Sequence, residues 1–295
     1  MKIYDMAIFW EWNYDVPFND LLKRHASLHN INLLFVDPSS INSTKDALRN
    51  KEMKINWILD RASETDEKFL PLIKICSNLK IKSVNPFTYV RKALNKAYIQ
   101  RKLEQYELPL PETLILPAFN KKEVLPFINF EDIGVPFVVK PSSEGGGEGV
   151  NMGVTELSQI KTIRQQYPEQ EYLIQQTIEP KIITKCPLWI RGYFSGGDVH
   201  LIFWHPKNKT FHHIIKDDIS LILQSKIKDM LRSIAMIAKI NLFSTEIAIT
   251  NDNRPVLIDY VNDPIDFRPL SMHVDGIPDE LLEKIIVSLL RLISG

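Results

Sequence analysis

The most informative segment of this chain reads PFVVKPSSEGGGEGV and spans residues 136–150. An apolar run that ends at Lys140 comes first, and a second apolar run begins at Val150. Five of the eleven glycines of the chain lie between Gly145 and Gly153. Glycine lets consecutive backbone amides turn toward an anion, because no Cβ stands in the way. The segment predicts a strand, a glycine-rich flap at residues 145–149 that can cover a phosphate group, and a returning strand.

Two familiar phosphate-binding loops do not fit this segment. A P-loop places its Lys-Ser/Thr pair after the glycines, whereas Lys140 precedes them. A dinucleotide-binding glycine motif opens a helix, whereas residues 150–154 have the pattern of a strand. The alternative to a phosphate site is a flexible hairpin with a lysine on its surface, and the segment by itself leaves both interpretations open.

The N-terminal part of the chain alternates predicted strands and helices. Apolar runs predict strands at residues 3–10, 33–36, 55–59 and 83–84, and helical spacing predicts helices at 17–29 and 66–79. This alternation is typical of an α/β unit with a parallel sheet. Ligands of such sheets bind beyond the carboxyl ends of the strands. Residues 11–15 and 60–63 are therefore candidate substrate loops, with ordinary loops as the alternative.

The rest of the chain has a different order of predicted helices and strands, which is typical of an α+β architecture. A long helix is predicted at residues 87–105, and further helices at 156–166, 220–240 and 279–293. Short strands dominate between them, at residues 113–116, 136–140, 150–154, 172–176, 188–194, 199–204, 210–216, 243–250 and 255–260.

The last two predicted strands flank residues 251–254, which read NDNR and form a strong turn signal. With a two- or four-residue loop, Glu246 faces Asp259 in the hairpin. The same register pairs Ala248 with Leu257. A loop with an odd number of residues would move Glu246 to the other face of the sheet and remove the pairing.

Two carboxylates on facing positions have a chemical consequence. Cross-strand neighbours lie about 5 Å apart, where like charges are destabilising. Glu246 and Asp259 therefore need a cation between them, or one of them must hold a proton. Asn262 and Asp263 follow and add oxygen atoms of the kind that Mg²⁺ binds. Two solvated surface acids are the alternative.

Composition excludes several other functions for this chain of 295 residues. The 36 Lys and Arg balance the 36 Asp and Glu, so no broad basic surface for nucleic acid or anionic membrane is expected. No apolar run reaches the roughly 18–20 residues that span a bilayer. The only two cysteines, Cys76 and Cys186, lie far apart, as expected in a reducing compartment. We expect a cytoplasmic protein without nucleic-acid or membrane partners.

Taken in order, these parts resemble the ATP-grasp superfamily, which includes D-alanine–D-alanine ligase, glutathione synthetase and RimK-type amino-acid ligases. The resemblance covers essentially the whole chain and does not assign a subfamily. It implies a Rossmann-like preliminary domain at residues 1–88. It also implies a central lobe with the flap at residues 89–172 and a C-terminal lobe with a metal site at residues 173–295. ATP would be held between the two lobes.

The resemblance implies roles for residues along the nucleotide. Asn95-Lys96 is similar to the Asp-Lys pair that begins the central domain of the family, so Lys96 and Lys140 would contact ATP phosphates. The segment YLIQQTIEP at residues 172–180 is similar to the strand that contacts the adenine. The residues implied for ATP are Lys96, Lys140, Glu144, Gly145, Gly146, Gly147, Gly149, Gln176, Ile178 and Glu179.

Further residues are implied near the reacting groups. Trp189-Ile190-Arg191 is similar to an Asp-Ile-Arg strand of the family, so Arg191 would contact phosphates or a substrate carboxylate. Arg268 would hold the substrate carboxylate, with a surface salt bridge as the alternative role, and Asp266 and Ser271 would border the acceptor site. Glu246, Asp259 and Asn262 match the residues that hold two magnesium ions. The family often shows Glu-x-Asn, whereas Asn262 here follows Asp259 by three residues, so Asp263 is an alternative to Asn262.

The activity that the resemblance implies is a carboxylate–amine ligase that depends on ATP and Mg²⁺. ATP would phosphorylate a carboxylate, and an amine would attack the acyl phosphate, which yields an amide, ADP and phosphate. The substrates would be small molecules, with amino acids and peptides among the candidates. A small-molecule phosphotransferase and a non-catalytic nucleotide-binding protein remain alternatives, and a homodimer remains open.

Overall fold

A computed structural model describes residues 1–124, 130–183, 185–208, 210–212 and 219–295. The predicted strand at residues 210–216 lies partly outside these ranges, and its described part ends at His212. Three larger sheets, a two-stranded ribbon and the helices packed on them make up the described architecture. Among the described helices, none has both the length and the apolar character that a membrane crossing requires.

The N-terminal part alternates strands and helices, as predicted: β1 (Lys2–Phe9), α1 (Val16–Leu28), β2 (Leu33–Val36), α2 (Ile41–Arg49), β3 (Met53–Asp60), α3 (Leu70–Asn78) and β4 (Lys82–Ser83). The four strands are parallel and lie in the order β2-β1-β3-β4. Helix α2 is missing from the sequence prediction. It buries only Ile41, Thr44 and Leu48, and one of these is polar, so its apolar stripe is too short to stand out.

The middle part contains two consecutive helices and the second sheet: α4 (Phe87–Leu94), α5 (Lys96–Glu104), β5 (Thr113–Leu116), β6 (Phe137–Pro141), β7 (Asn151–Val154), α6 (Leu157–Arg164) and β8 (Tyr172–Gln176). This sheet is antiparallel, with the order β5-β8-β6-β7. The flap joins β6 to β7. The domain boundary proposed between residues 172 and 173 falls within β8, and the three domain ranges remain predictions.

The predicted single helix at residues 87–105 is wrong, because the chain forms two helices that meet at Asn95. The backbone of Asn95 is extended, with φ −73° and ψ 103°, and its side-chain oxygen accepts a hydrogen bond from the Tyr98 amide at 2.8 Å. Asparagine favours such N-cap positions, since its side chain satisfies a free amide of the first turn. The cap places Lys96 at the first position of α5.

The C-terminal part contains the ribbon, the third sheet and two long helices: β9 (Ile182–Ile183), β10 (Cys186–Pro187), β11 (Trp189–Ser195), β12 (Asp198–His205), β13 (Thr210–His212), α7 (Leu221–Ala238), β14 (Leu242–Ile249), β15 (Pro255–Asn262) and α8 (Asp279–Ser294). The third sheet is antiparallel, in the order β13-β12-β11-β14-β15.

The two faces of the third sheet have different neighbours. In β11, Ile190 belongs to the apolar cluster that includes α7, whereas Tyr193 belongs to the cluster that includes α8 and the first sheet. Residues two apart in a strand share a face, so Arg191 lies on the Tyr193 side. Arg191 is paired with Glu246, which places that carboxylate on the same face. The third sheet therefore directs its charged side chains away from α7.

Arg61 connects the first sheet to the loop that follows β15. Its guanidinium donates to both carboxylate oxygens of Asp15, at 2.9 and 2.5 Å, and to the backbone oxygen of Ile265 at 3.0 Å. The rings of Phe18 and Phe267 lie 5.0 and 4.8 Å from the guanidinium carbon. Arg61 is 3% exposed and Asp15 is 2% exposed, so this ion pair is inside the protein. It stabilises the contact between the N-terminal and C-terminal parts.

Candidate active site

A cavity of about 500 Å³ lies between the second and third sheets. Most of the residues predicted for a nucleotide and metal site line it, and these are Lys96, Lys140, Glu144, Gly146, Gly147, Gln176, Ile178, Arg191, Glu246, Asp259, Asn262 and Arg268. Three other predicted residues, Gly145, Gly149 and Glu179, are not part of its lining, and the Glu179 side chain is exposed. The fold thus brings together residues that are up to 172 positions apart in the sequence, from Lys96 to Arg268.

Lys140 lies at the end of β6 and is only 6% exposed, so it is not the surface lysine of the alternative interpretation. Its Nζ donates to the backbone oxygen of Ile258 at 3.2 Å. Burial lowers the pKa of Lys140 to about 8; the charge of Lys96 also lowers this pKa, whereas the carboxylates of Asp259 and Glu246 raise it. The ammonium therefore has few partners and lies where a further anion would stabilise it.

Lys96 lies at the start of α5 and connects this helix to the flap. Its Nζ donates to the backbone oxygen of Glu144, and its backbone amide donates to the oxygen of Ser142 at 2.6 Å. The carboxylate of Glu144 accepts a hydrogen bond from Gln170 Nε2 at 2.5 Å. The two lysines and the beginning of the flap thus form one corner of the cavity.

Gly149 shows why the flap needs glycine at its end. Its φ is +70°, and a Cβ there would lie 2.8 Å from both Pro141 and Tyr167 side-chain atoms. Gly146 and Gly147, which line the cavity, also have positive φ values of 61° and 86°. L-residues with a side chain rarely adopt this region, so glycine permits the tight return of the chain toward β7.

The register of β14 and β15 confirms that Glu246 is paired with Asp259. The pairing is reached in an unexpected way. The turn leaves five residues, 250–254, between the paired Ile249 and Pro255, and Ala248 is paired with Val256. The predicted Ala248–Leu257 pair is therefore wrong. A bulge between Glu246 and Ile247 adds one extra residue to the β15 side of the pairing. This shift restores the predicted pairing of the two carboxylates.

Arg191 and Glu246 form an ion pair on the cavity wall. Arg191 Nη1 lies 3.1 Å from Glu246 Oε1, and the two side chains are 16% and 19% exposed. Burial raises the pKa of Glu246, and Asp259 raises it further, while Arg191 and Lys140 act in the opposite direction. Arg191 also donates to Ser244 Oγ at 3.3 Å. One guanidinium thus compensates only part of the negative charge that the hairpin brings together.

Asn262, and not Asp263, joins the two acids. Asn262 lines the main cavity, whereas Asp263 lines a second cavity of about 370 Å³ together with Asp60 and Glu64. Burial raises the pKa of Asp263 to about 7, with Glu64 and Asp60 contributing in the same direction. The two neighbouring residues at the end of β15 therefore face different spaces.

The oxygen set of the main cavity suits a hard cation. Within the described part of the chain, no group of three or more His, Cys, Asp and Glu side chains is arranged for metal binding. Among the oxygen donors that line the main cavity are the carboxylates of Glu246 and Asp259 and the amide oxygen of Asn262. Mg²⁺ is usually bound by one or two carboxylates and completes its shell with water and phosphate oxygens, so this donor set fits it.

Arg268 reaches the cavity, but its guanidinium is already bonded to two carboxylates. Arg268 Nη2 lies 2.7 Å from Asp266 Oδ2 and 3.0 Å from Asp275 Oδ2, and Nε donates to Asp266 at 3.0 Å. A free fork for a substrate carboxylate, as the resemblance implies, is therefore absent at this residue. Ser271 does not border the cavity, and its hydroxyl donates to Asp279 at 2.5 Å.

The two candidate substrate loops also lie elsewhere. Residues 11–15 and 60–63 do not line the main cavity, and their Asp15 and Arg61 form the buried ion pair described above. Residues 60–63 line the second cavity instead. The carboxyl edge of the first sheet is thus used to contact the C-terminal part of the chain.

Several cavity residues were missed by the sequence analysis. They are aromatic or apolar residues of the third sheet and of the following loop, together with one acid: Trp189, Tyr193, Trp204, Phe211, Ile265, Asp275 and Ile277. Alternation of apolar and polar residues in the strands was visible, but it does not tell which apolar side chains face a cavity and which face the core. Only the pairing of β11, β12 and β13 reveals this.

Solved structures with a similar fold match the chain over nearly its full length. A D-alanine–D-alanine ligase from Bacillus anthracis, complexed with ATP, has a TM-score of 0.64 at 13% identity, covering 100% of this chain and 99% of the ligase. An ATP-grasp RimK domain protein from Sphaerobacter thermophilus has a TM-score of 0.65 at 16% identity, covering 98% and 100%. The ATP-grasp ligase PsnB, complexed with minimal precursor, Mg and ADP, has a TM-score of 0.64 at 10% identity, covering 99% of both chains.

These matches show that the chain has the ATP-grasp fold, so the resemblance inferred from the sequence is confirmed at the level of the fold. No protein-family model matches the sequence, and no curated protein matches it either. At identities of 10–16%, the structural likeness establishes an architecture and leaves the subfamily unassigned.

Proposed function

We propose that this protein is a carboxylate–amine ligase that uses ATP and Mg²⁺ and forms an amide through an acyl phosphate. The observation that supports this most strongly is the convergence of Lys96 and Lys140 with Glu246 and Asp259 on one cavity. Two cations on one wall and two carboxylates on the other suit a triphosphate bound together with metal ions. The matching ligases that are complexed with ATP, or with Mg and ADP, support the same ligands here.

The nucleotide is proposed to lie with its phosphates between the two lysines and under the flap. Lys140 and Lys96 would neutralise phosphate charge, and the flap amides near Gly146 and Gly147 would donate hydrogen bonds. Gln176 and Ile178, which line the cavity on the second-sheet side, would contact the adenine. Glu179 is exposed and Gly145 and Gly149 are outside the lining, so we assign these three no direct contact.

Glu246, Asp259 and Asn262 are proposed to hold magnesium, with two ions as the expected number. Bound magnesium would supply positive charge that screens the phosphate oxygens during transfer. The pKa of Glu246 is raised by burial and by Asp259, and a bound cation would lower it again. The two carboxylates and the amide oxygen at this hairpin are the kind of donors that make a site suitable for a divalent ion.

The reaction needs positioning more than covalent help from side chains. The γ-phosphoryl group moves from ATP to an oxygen of the substrate carboxylate, which gives ADP and the acyl phosphate. After its ammonium form loses a proton, the amine nitrogen attacks the carbonyl carbon, phosphate leaves with the C–O bond electrons, and the nitrogen loses a second proton. Arg191, already next to Glu246, would stabilise the charge on the acyl phosphate, since guanidinium groups bind such oxyanions in a bidentate way.

An ADP-release assay with a panel of small acids and amines tests this proposal. A ligase releases ADP only when both an acid and an amine are present. ADP formed with a single acceptor and no amine would identify a phosphotransferase. Nucleotide binding without any turnover across the panel would contradict catalysis.

The Asp259→Asn variant tests the metal site in this proposal, because it removes one negative charge from the proposed magnesium ligands. We expect a loss of at least about 100-fold in turnover at fixed Mg²⁺. Asp252→Asn, on the turn of the same hairpin and 54% exposed at its side chain, is the control that keeps normal activity.

A further inference from the structure

The loop that follows β15 gives one end of the cavity a negative charge. Asp266, Arg268 and Asp275 all line this end. These three residues, two carboxylates and one guanidinium, have a net charge of −1, and Arg191, which also acts on Asp266, is paired with Glu246. Burial raises the pKa of Asp266, but the hydrogen bonds from Arg268 outweigh this and lower it below its usual range, so the carboxylate is ionised at neutral pH.

The carboxylates retain free acceptor positions. Among the described residues, Asp275 is bonded through Oδ2 only, to Arg268 at 3.0 Å. A carboxylate has about four lone-pair positions, so the hydrogen bonds to Arg268 leave positions open on both acids. Asp266 and Asp275 are 58% and 30% exposed at their side chains, which leaves them accessible to a ligand.

Tyr193 supplies a second, independent observation at the same end. It lines the cavity, is 1% exposed, and its ring lies in the apolar cluster that contains Ile265 and Ile277. No described residue forms a hydrogen bond with its hydroxyl. A phenol buried to this degree normally has a hydrogen-bond partner. Burial raises the pKa of Tyr193; the charge of Arg191 lowers this pKa, and those of Glu246 and Asp266 raise it.

Aromatic and apolar side chains form another wall of the cavity, and the Arg191 guanidinium carbon lies 5.1 Å from the centroid of the Trp204 ring. Trp204 and Phe211 have ring centroids 4.7 Å apart and both line the cavity. Ile265 and Ile277 border the same region. Such a wall can bury the apolar part of a ligand, while the polar groups fix its orientation.

We propose that this end binds the ammonium group of the amine substrate through Asp266 and Asp275, with the Tyr193 hydroxyl as a further contact and an apolar or aromatic body against Trp204 and Phe211. The assignment rests on the proposed ligase function and specifies its substrate class. A carboxylate would face a net negative charge here, and Arg268 has no free fork to offer it.

Two probes of nearly the same shape test the charge preference: 2-phenylethylamine and 3-phenylpropionate. Each is titrated by calorimetry into the full chain saturated with Mg²⁺ and a non-hydrolysable ATP analogue. We expect the amine to bind at least about tenfold more tightly than the acid, because one charge-assisted hydrogen bond contributes about this factor in affinity. Equal or tighter binding of the acid overturns the proposal, and so does an absence of binding by both probes.

Variants locate the binding site. Asp275→Asn and Asp266→Asn should each weaken 2-phenylethylamine binding about tenfold, and Tyr193→Phe severalfold, with unchanged affinity for the ATP analogue. Asp252→Asn is the control and should bind the amine as the parent protein does. Undiminished amine binding in both Asp variants contradicts the assignment. Failure of the ATP analogue to bind would instead refute the proposed function, so the two failures are distinguishable.

Discussion

Replacement of Lys140 by methionine tests the phosphate role of this lysine most directly. Methionine keeps an unbranched side chain of similar length but removes the charge. At pH 7, a pKa of about 8 leaves roughly 90% of Lys140 charged, so the variant loses nearly a full ammonium. One buried charge-assisted hydrogen bond contributes about 1.5–3 kcal/mol. We therefore expect the Kd for Mg–ATP to rise about 10- to 150-fold.

The same substitution should leave the fold intact. Burial lowers the pKa of Lys140 from 10.5 to about 8, so the folded state holds this proton less tightly than the unfolded state. That difference destabilises the folded protein by on the order of 3 kcal/mol at pH 7, declines as the pH rises from about 8 to 10.5, and is nearly absent above 10.5. The variant removes this cost but leaves Glu246 and Asp259 without the cation. Because the two effects oppose each other, we expect the free energy of unfolding to change by less than about 2 kcal/mol.

Calorimetry with a non-hydrolysable ATP analogue and Mg²⁺ measures the binding change, and urea unfolding measures stability. Lys74→Met, an exposed position on α3 away from the cavity, is the matched control and should bind the nucleotide normally. If Lys140→Met remains folded and binds the analogue as tightly as the control, Lys140 has no phosphate role and the placement of the nucleotide is wrong.

Two further results are expected. At pH 8 about half of Lys140 is neutral, and a triphosphate beside it favours the ammonium form. Nucleotide binding should therefore take up close to half a proton per protein at pH 8 and about 0.1 proton at pH 7. Calorimetry in buffers of different ionisation heat measures this uptake, and heats that are independent of buffer at pH 8 would contradict it. Arg61→Met should destabilise the fold by about 3–5 kcal/mol, because it leaves Asp15 buried without its partner. Urea unfolding measures the change, and the control is Arg49→Met, whose exposed ion pair should contribute under about 1 kcal/mol. A similar decrease in the free energy of unfolding in both variants would refute the structural role of Arg61.

Local patterns predicted many of the elements from sequence. The strands at residues 33–36, 113–116 and 172–176 are found with the predicted bounds, because each contains a compact run of apolar residues. The break at Asn95 was not visible, since the apolar spacing continues through both helices. An N-cap depends on whether one side chain bonds one amide, and Asn95 can also occupy a helix interior.

The carboxylate pair illustrates how a correct result can depend on tertiary detail. Glu246 is paired with Asp259 as predicted, although the turn is odd in length and the neighbouring pairs are shifted. The bulge that compensates leaves no simple signal in the sequence. Such irregularities depend on how the whole sheet twists and on what its faces contact.

Arg268 shows the opposite outcome. From the sequence it could be interpreted as a residue that binds a substrate carboxylate, because arginine is well suited to that role. In the folded chain its guanidinium is bonded to Asp266 and Asp275. Asp275 lies seven residues further on, and only the path of the loop brings it back to Arg268.

The order of parts was determined by the sequence itself: the strand before Lys140, the glycine flap, the Arg191 strand and the acid-bearing hairpin. Periodicity, glycine content and turn residues are local properties, so they can be recognised without knowing the rest of the structure. The tertiary structure decided which charges compensate one another, which aromatic side chains face the cavity, and that Arg61 joins the two ends of the chain. These features depend on strand pairing and burial between residues that are far apart in sequence. Exclusion of solvent at such contacts determines how strongly the charges interact.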